Sequence, residues 1–131
     1  MIRKAIIFPF LVLAVCTPQE PVDVSKLDFD PTYGAVNTRL LDGELVSISV
    51  VMQGARGIDD VIIFNDCAAA QYALIRGAGF VRRVRNDVDK KGPNWLGDGV
   101  YTLSDAHPGG VHTIDAEVAA ANCSASNIPM V

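Results

Sequence analysis

The sequence predicts an α+β domain, one helix packed on a twisted antiparallel sheet of about five strands in the order β-β-α-β-β-β. Three observations predict it. From Asp59 to Gly79, apolar residues recur at three- and four-residue spacing, the period of a helix buried on a broad face. Around Asp42-Gly43, two alternating segments flank a dipeptide that tolerates the positive φ of a hairpin turn. Beyond Gly79, two further stretches alternate with a period of two. The 131 residues, half of them hydrophobic, suffice for one packed core and are too few for two comfortable ones.

In chain order, residues 17–32 (TPQEPVDVSKLDFDPT) combine prolines and charges without a period and read as a tether. The pattern changes at Ala35. VNTRLL, Asp42-Gly43 and ELVSISVVM make the hairpin, with Val46, Ile48, Val50 and Met52 toward the core and Leu45, Ser47, Ser49 and Val51 away from it. The chain then turns through Gly54 to Gly57 into the helix, read as Gly57 to Arg76. Val61, Phe64, Ala68, Tyr72 and Ile75 form its main stripe, with Ile63, Cys67, Ala70 and Leu74 alongside. Asp59 and Asp60 complement the helix dipole at its start and Arg76 at its end, and Gly77 can take the left-handed conformation that stops it. A competing reading makes Val61 to Phe64 a strand and begins a shorter helix at Cys67 under an Asn65 or Asp66 cap.

FVRRVRNDV follows as a strand, with Phe80, Arg82, Val84 and Val88 on one face and Val81, Arg83, Arg85 and Asp87 on a charged outer face. Residues 89–99 (DKKGPNWLGDG), rich in Gly and Asp, read as a connection that carries Trp95. Val100 to Leu103 reads as a short strand and residues 104–110 (SDAHPGG) as a turn. Val111 to Ala120 reads as the clearest strand, with Ile114, Ala116, Val118 and Ala120 facing inward.

The first residues carry a different signal. Arg3 and Lys4 form a basic head, and AIIFPFLVLA (residues 5–14) is as long as a signal-peptide core but short of the roughly 20 apolar residues a bilayer-spanning helix needs. The run ends in Leu13-Ala14-Val15-Cys16, which resembles the lipobox of bacterial lipoproteins, with Val15 where a smaller residue is usual. That resemblance, confined to the first 16 residues, implies that lipoprotein signal peptidase cuts before Cys16 and that its thiol carries a diacylglycerol. The expected organisation is therefore a signal peptide over residues 1–15, a lipid-anchored tether over 16–34 and a single domain over 35–131. An ordinary secretory signal, leaving a soluble periplasmic protein, is the alternative.

Setting Cys16 aside leaves two body cysteines, Cys67 and Cys123. In an oxidising compartment they can join, stapling the helix to the end of the last expected strand; two buried free thiols are the other reading. The formal charge is −4, and without a leader holding Arg3 and Lys4 nine basic residues face fifteen acidic ones, a net −6. Such a balance argues against nucleic acid as a partner.

No catalytic constellation stands out. His107 and His112 flank a Pro-Gly-Gly turn without the further converging ligands that zinc requires, so neither metal nor other cofactor is expected. The glycines match no phosphate-binding pattern, and no nucleophile elbow is present. Arg82, Arg83 and Arg85 form the basic cluster of an acidic chain and, with Trp95, are the candidate binding residues; the same arginines also suit a solvated strand face. The whole chain resembles the small uncharacterised envelope lipoproteins of purple bacteria, and its outline is similar to cystatin-like helix-on-sheet folds, a likeness of shape that carries no function. The resemblance implies an envelope location facing the periplasm and a membrane held through the lipid. The function expected is non-catalytic binding or scaffolding of an envelope protein or polymer, through the sheet face or the Trp95 segment. A small periplasmic enzyme or enzyme inhibitor is the alternative.

Overall fold

A computed structural model describes Ala14, Cys16, Pro18 and residues 28–130. The expected signal peptide, Ala14 apart, and most of the expected tether lie outside the described residues; Cys16 is exposed and bridged to no other cysteine. The elements are β1 (Thr32–Asp42), β2 (Leu45–Gln53), α1 (Ile58–Ile75), β3 (Phe80–Lys91), β4 (Asn94–Ser104), β5 (Thr113–Asp115) and α2 (Ala116–Ala125). The strands form one antiparallel sheet ordered β1-β2-β4-β3-β5. The class is α+β as expected, with two helices where one was expected. β1 begins at Thr32, ahead of the change of pattern at Ala35.

The hairpin forms where the Asp-Gly signal sits. Asp42 pairs with Leu45 across Gly43 (φ +53°) and Glu44, and Val46, Ile48, Val50 and Met52 are all buried. Across the sheet these four meet Tyr101, Gly99, Gly97 and Trp95 of β4, and α1 lies over that face.

α1 runs unbroken through Val61 to Phe64, which overturns the strand alternative: one turn of buried residues after another (Val61, Phe64, Cys67, Ala68) favours the helix over local β propensity. Its first turn has no side-chain cap from Gly57. Instead Asp60 reaches back, its Oδ2 accepting the Arg56 N–H at 2.8 Å while the Arg56 guanidinium donates to both carboxylate oxygens. At the other end Gly77 (φ +79°) lets Gly77 N–H donate to Leu74 and Ala78 N–H to Ala73, the paired bonds that close a Schellman turn.

Three expectations are corrected beyond this helix. First, residues 89–99 are not a connection. β3 and β4 continue to Lys91 and Asn94 around a two-residue Gly92-Pro93 turn, with Gly92 at φ +59°, so Trp95 stands half-buried on a strand. The glycines read as loop residues are strand residues whose missing side chains admit α1: a Cβ on Gly97 would lie 2.8 Å from Val61 Cγ1, and one on Gly99 2.6 Å from the Tyr101 ring.

Second, the faces of β3 are exchanged at its start. Arg83 shares a row with Tyr101 and Val46 on the helix-covered side, whereas Arg82 pairs with Thr102 on the open side. A bulge between Arg83 and Arg85 then shifts the phase, returning Arg85 and Asp87 to the open side and leaving Val84 exposed.

Third, Val111 to Ala120 is not one strand. Only Thr113–Asp115 pairs with β3, and the chain then enters α2, where Asp115 Oδ1 accepts the Val118 N–H at 3.2 Å. Alanine at alternate positions satisfies a strand pattern equally well, yet it is the best helix former, and Ala116 and Cys123 share a buried face one heptad apart. Val118, expected inward, is more than half exposed. Asn127, at φ +56°, ends α2 as Gly77 ends α1.

Candidate functional site

Cys67 on α1 and Cys123 on α2 are joined by a disulfide, with Cα atoms 6.0 Å apart. The expected partners are therefore correct, and the element that the bridge clips is a second helix, not a strand end. Beside it lies a cleft of about 220 Å³, lined by Ile63, Asp66 and Cys67 of α1, Ile114 of β5, and Ala119, Asn122 and Cys123 of α2. Ile63, half exposed, also borders a second cavity of about 320 Å³, shared with Phe29, Tyr33, Arg56, Asp60, Ser126 and Ile128. The two form one face running along α1.

Polar groups converge behind the first cleft. Tyr101, fully buried on β4, donates its hydroxyl to Asp66 Oδ1 at 2.7 Å, and Asn86 Nδ2 lies 3.4 Å from the same hydroxyl. Arg83 Nε stands 3.6 Å from Asp66 Oδ1. Its terminal nitrogen is 3.3 Å from His112 Nδ1, and its backbone N–H donates to the His112 carbonyl. Burial pushes the Asp66 carboxyl above the usual carboxylate range, against the opposing pull of Tyr101, Arg83 and His112. The Tyr101 phenol is pushed far above its ordinary value, first by burial and then by the Asp66 charge. Asn65, one residue before Asp66, is wholly buried against Gly97 and Gly99, and among the described residues no group bonds either of its side-chain polar atoms.

The structure disperses the candidate binding residues. Arg83 joins the network just described. Arg85 pairs with its neighbour Asp87 on the open face of the sheet, and Arg82 lies exposed beside Gly110. Trp95 packs at the margin of the core under Lys90, whose ammonium is 5.0 Å from the ring centre. His107 sits edge-on to Phe80. Asp66, Tyr101 and Ile63 were missed as site residues; the visible signal was the polar pair Asn65-Asp66 inside an otherwise apolar helix.

Chemically, the cleft offers apolar walls, an amide from Asn122 and a largely desolvated carboxyl backed by a guanidinium. It suits recognition of an apolar group bearing a hydrogen-bond donor. Its two sulfurs are committed to each other. No helix among the described residues is long and apolar enough to cross a membrane.

The model of one family, described as the YNQ4 C-terminal domain, matches residues 33–127. The chain is also similar to the uncharacterized 26.9 kDa protein in the nqo8 5′ region of Paracoccus denitrificans, a purple bacterium, with 28% identity over 85 residues. That match covers 65% of this chain and spans 33% of the relative, about a third of its length. No solved structure matches.

Proposed function

We propose that this chain, which belongs to the YNQ4 C-terminal domain family, is a non-catalytic binding module of the bacterial cell envelope, held at the membrane by a lipid on Cys16 and facing the periplasm. The observation that carries the reading is the Cys67–Cys123 bridge, which is characteristic of an oxidising compartment and holds α2 against α1 to form the cleft. Export and lipidation account for the basic head, the apolar run and the Leu13-Ala14-Val15-Cys16 sequence together. Each buried methylene of the lipid would add about 0.8 kcal/mol of attachment, so a diacylated Cys16 would keep the domain at the surface. The partner engaged is an envelope protein or polymer that lays an apolar group into the cleft against Ile63, which is half exposed there.

Three measurements test this. Palmitate labelling should mark the chain and disappear in Cys16→Ala; labelling that persists refutes the anchor. Crosslinked capture from envelopes should retrieve a partner that Ile63→Asp loses with the disulfide intact. Full-length chain in the cytosol with reduced thiols would overturn the location.

One observation favours a second reading, a small periplasmic enzyme: Asp66 is a carboxyl of raised pKa lining a cleft, the setting of a proton-transfer group. A turnover lost in Asp66→Asn, with binding at Ile63 unaffected, would select it.

A further inference from the structure

The two edges of the sheet differ in kind. The β5 edge is only three residues long, is preceded by His112 at φ +60° and passes directly into α2. The β1 edge is eleven residues long, and among the described residues its backbone makes no hydrogen bond outside its ladder with β2. Such an edge is a template for another strand unless it is short, charged, bulged or covered. β1 carries one Arg and one Asp, and its two register shifts fall at its ends, between Tyr33 and Val36 and between Leu40 and Asp42. Between them Val36, Asn37, Thr38, Arg39 and Leu40 keep strict register with β2.

α1 lies over β2, β3 and β4 and meets β1 at Tyr33, whose ring packs edge-on to Phe64. Among the described residues, nothing covers the far end of the side of β1 that continues the core layer. Leu40, in the same row as Val46, remains 44% exposed, and Leu41 is 41% exposed.

We propose that β1 is a homodimer interface, pairing antiparallel with β1 of a second copy about a two-fold axis through Thr38. The regular stretch is centred on Thr38, and this is the register that uses all of it. Val36 then faces Leu40 of the other copy on the core side, extending the apolar layer across the junction. Asn37 faces Arg39 of the other copy on the open side, so no like charges are opposed. Thr38 faces itself, a favourable cross-strand pair. Alternation keeps like faces together only in registers of this kind, and centring on Arg39 instead would oppose two guanidinium groups. The product is a continuous ten-stranded sheet with its helices on one side.

The self-opposed position supplies the experiment. Sedimentation equilibrium of the full chain in density-matched detergent should show a dimer. Thr38→Lys and Thr38→Glu, at an exposed position, should each weaken it about a hundredfold by opposing like charges, and equal mixing of the two should restore it. Near-UV circular dichroism unchanged from the parent shows that each variant still folds. A parent that is monomeric at every concentration overturns the proposal. So does a dimer that both variants leave intact, or one that mixing fails to restore.

Discussion

The hydroxyl of Tyr101 donates a 2.7 Å hydrogen bond to Asp66 Oδ1, tying the middle of α1 to β4 beneath the α1–α2 cleft. Burial raises the Asp66 pKa more than Tyr101, Arg83 and His112 lower it. A carboxyl with a raised folded-state pKa binds its proton more firmly in the native chain than in the unfolded one. Its contribution to stability is therefore complete below the unfolded value, about 4, and is lost as pH rises through the folded value. Asp66→Asn removes the titration and keeps an acceptor for Tyr101. The variant should lack this descent and gain on the parent from acid toward neutral pH in urea-unfolding midpoints; parallel pH profiles would refute the assignment.

Asp60 has the opposite sign. Hydrogen bonds from Arg56 hold its carboxyl below the usual range despite burial, so its contribution is present above the unfolded pKa and is lost as pH falls through the folded value. Asp60→Ala removes the acceptor for the Arg56 N–H and should cost about 1 kcal/mol at neutral pH. The deficit should shrink in acid; a deficit that is equal at every pH would count against the ion pair.

Reducing the disulfide should be the most costly change. With a sequence separation of 56, its removal in the Cys67→Ser/Cys123→Ser double variant should lower stability by about 4 kcal/mol in the chain-entropy model. Denaturant unfolding of parent and variant measures it, and a loss below about 1 kcal/mol would mean that α1–α2 packing alone holds the second helix.

Gly99 and Gly43 separate two reasons for glycine. A Cβ at Gly99 meets the Tyr101 ring at 2.6 Å and Asn65 at 3.0 Å, so Gly99→Ala should cost about 2 kcal/mol through overpacking. At Gly43 nothing lies within 4 Å and φ is +53°, so Gly43→Ala should cost about 1 kcal/mol through backbone strain alone. Adding Tyr101→Leu should recover part of the first loss and none of the second. Equal recovery in both would refute the steric account.

Much of the candidate site was hidden by the same features that hid part of the fold. Arg82, Arg83 and Arg85 look like one patch in the sequence, but the β3 bulge and the alternation of faces send Arg83 toward Asp66 and Arg85 toward Asp87. The cysteine pair was legible because parity and compartment point to it without any geometry. The α1–α2 cleft is not legible, since the alanine-rich segment that forms α2 alternates as a strand would.

The elements legible from residue order are those whose signals lie within a few residues of one another. Asp42-Gly43 with its alternating flanks specifies the hairpin, and the apolar period with Asp59, Asp60 and Gly77 specifies α1, because turn dihedrals, dipole charge and side-chain spacing act locally. The remaining elements were settled by long-range packing. A glycine-rich segment became the long strand β4 because β2 and β3 satisfy its backbone and α1 needs the space above Gly97 and Gly99. An alanine-rich segment that fits either period became α2 because Cys123 must reach Cys67, and Asp115 stands ready to cap it. Those choices depend on groups distant in sequence, whose contact free energy outweighs the small local preferences.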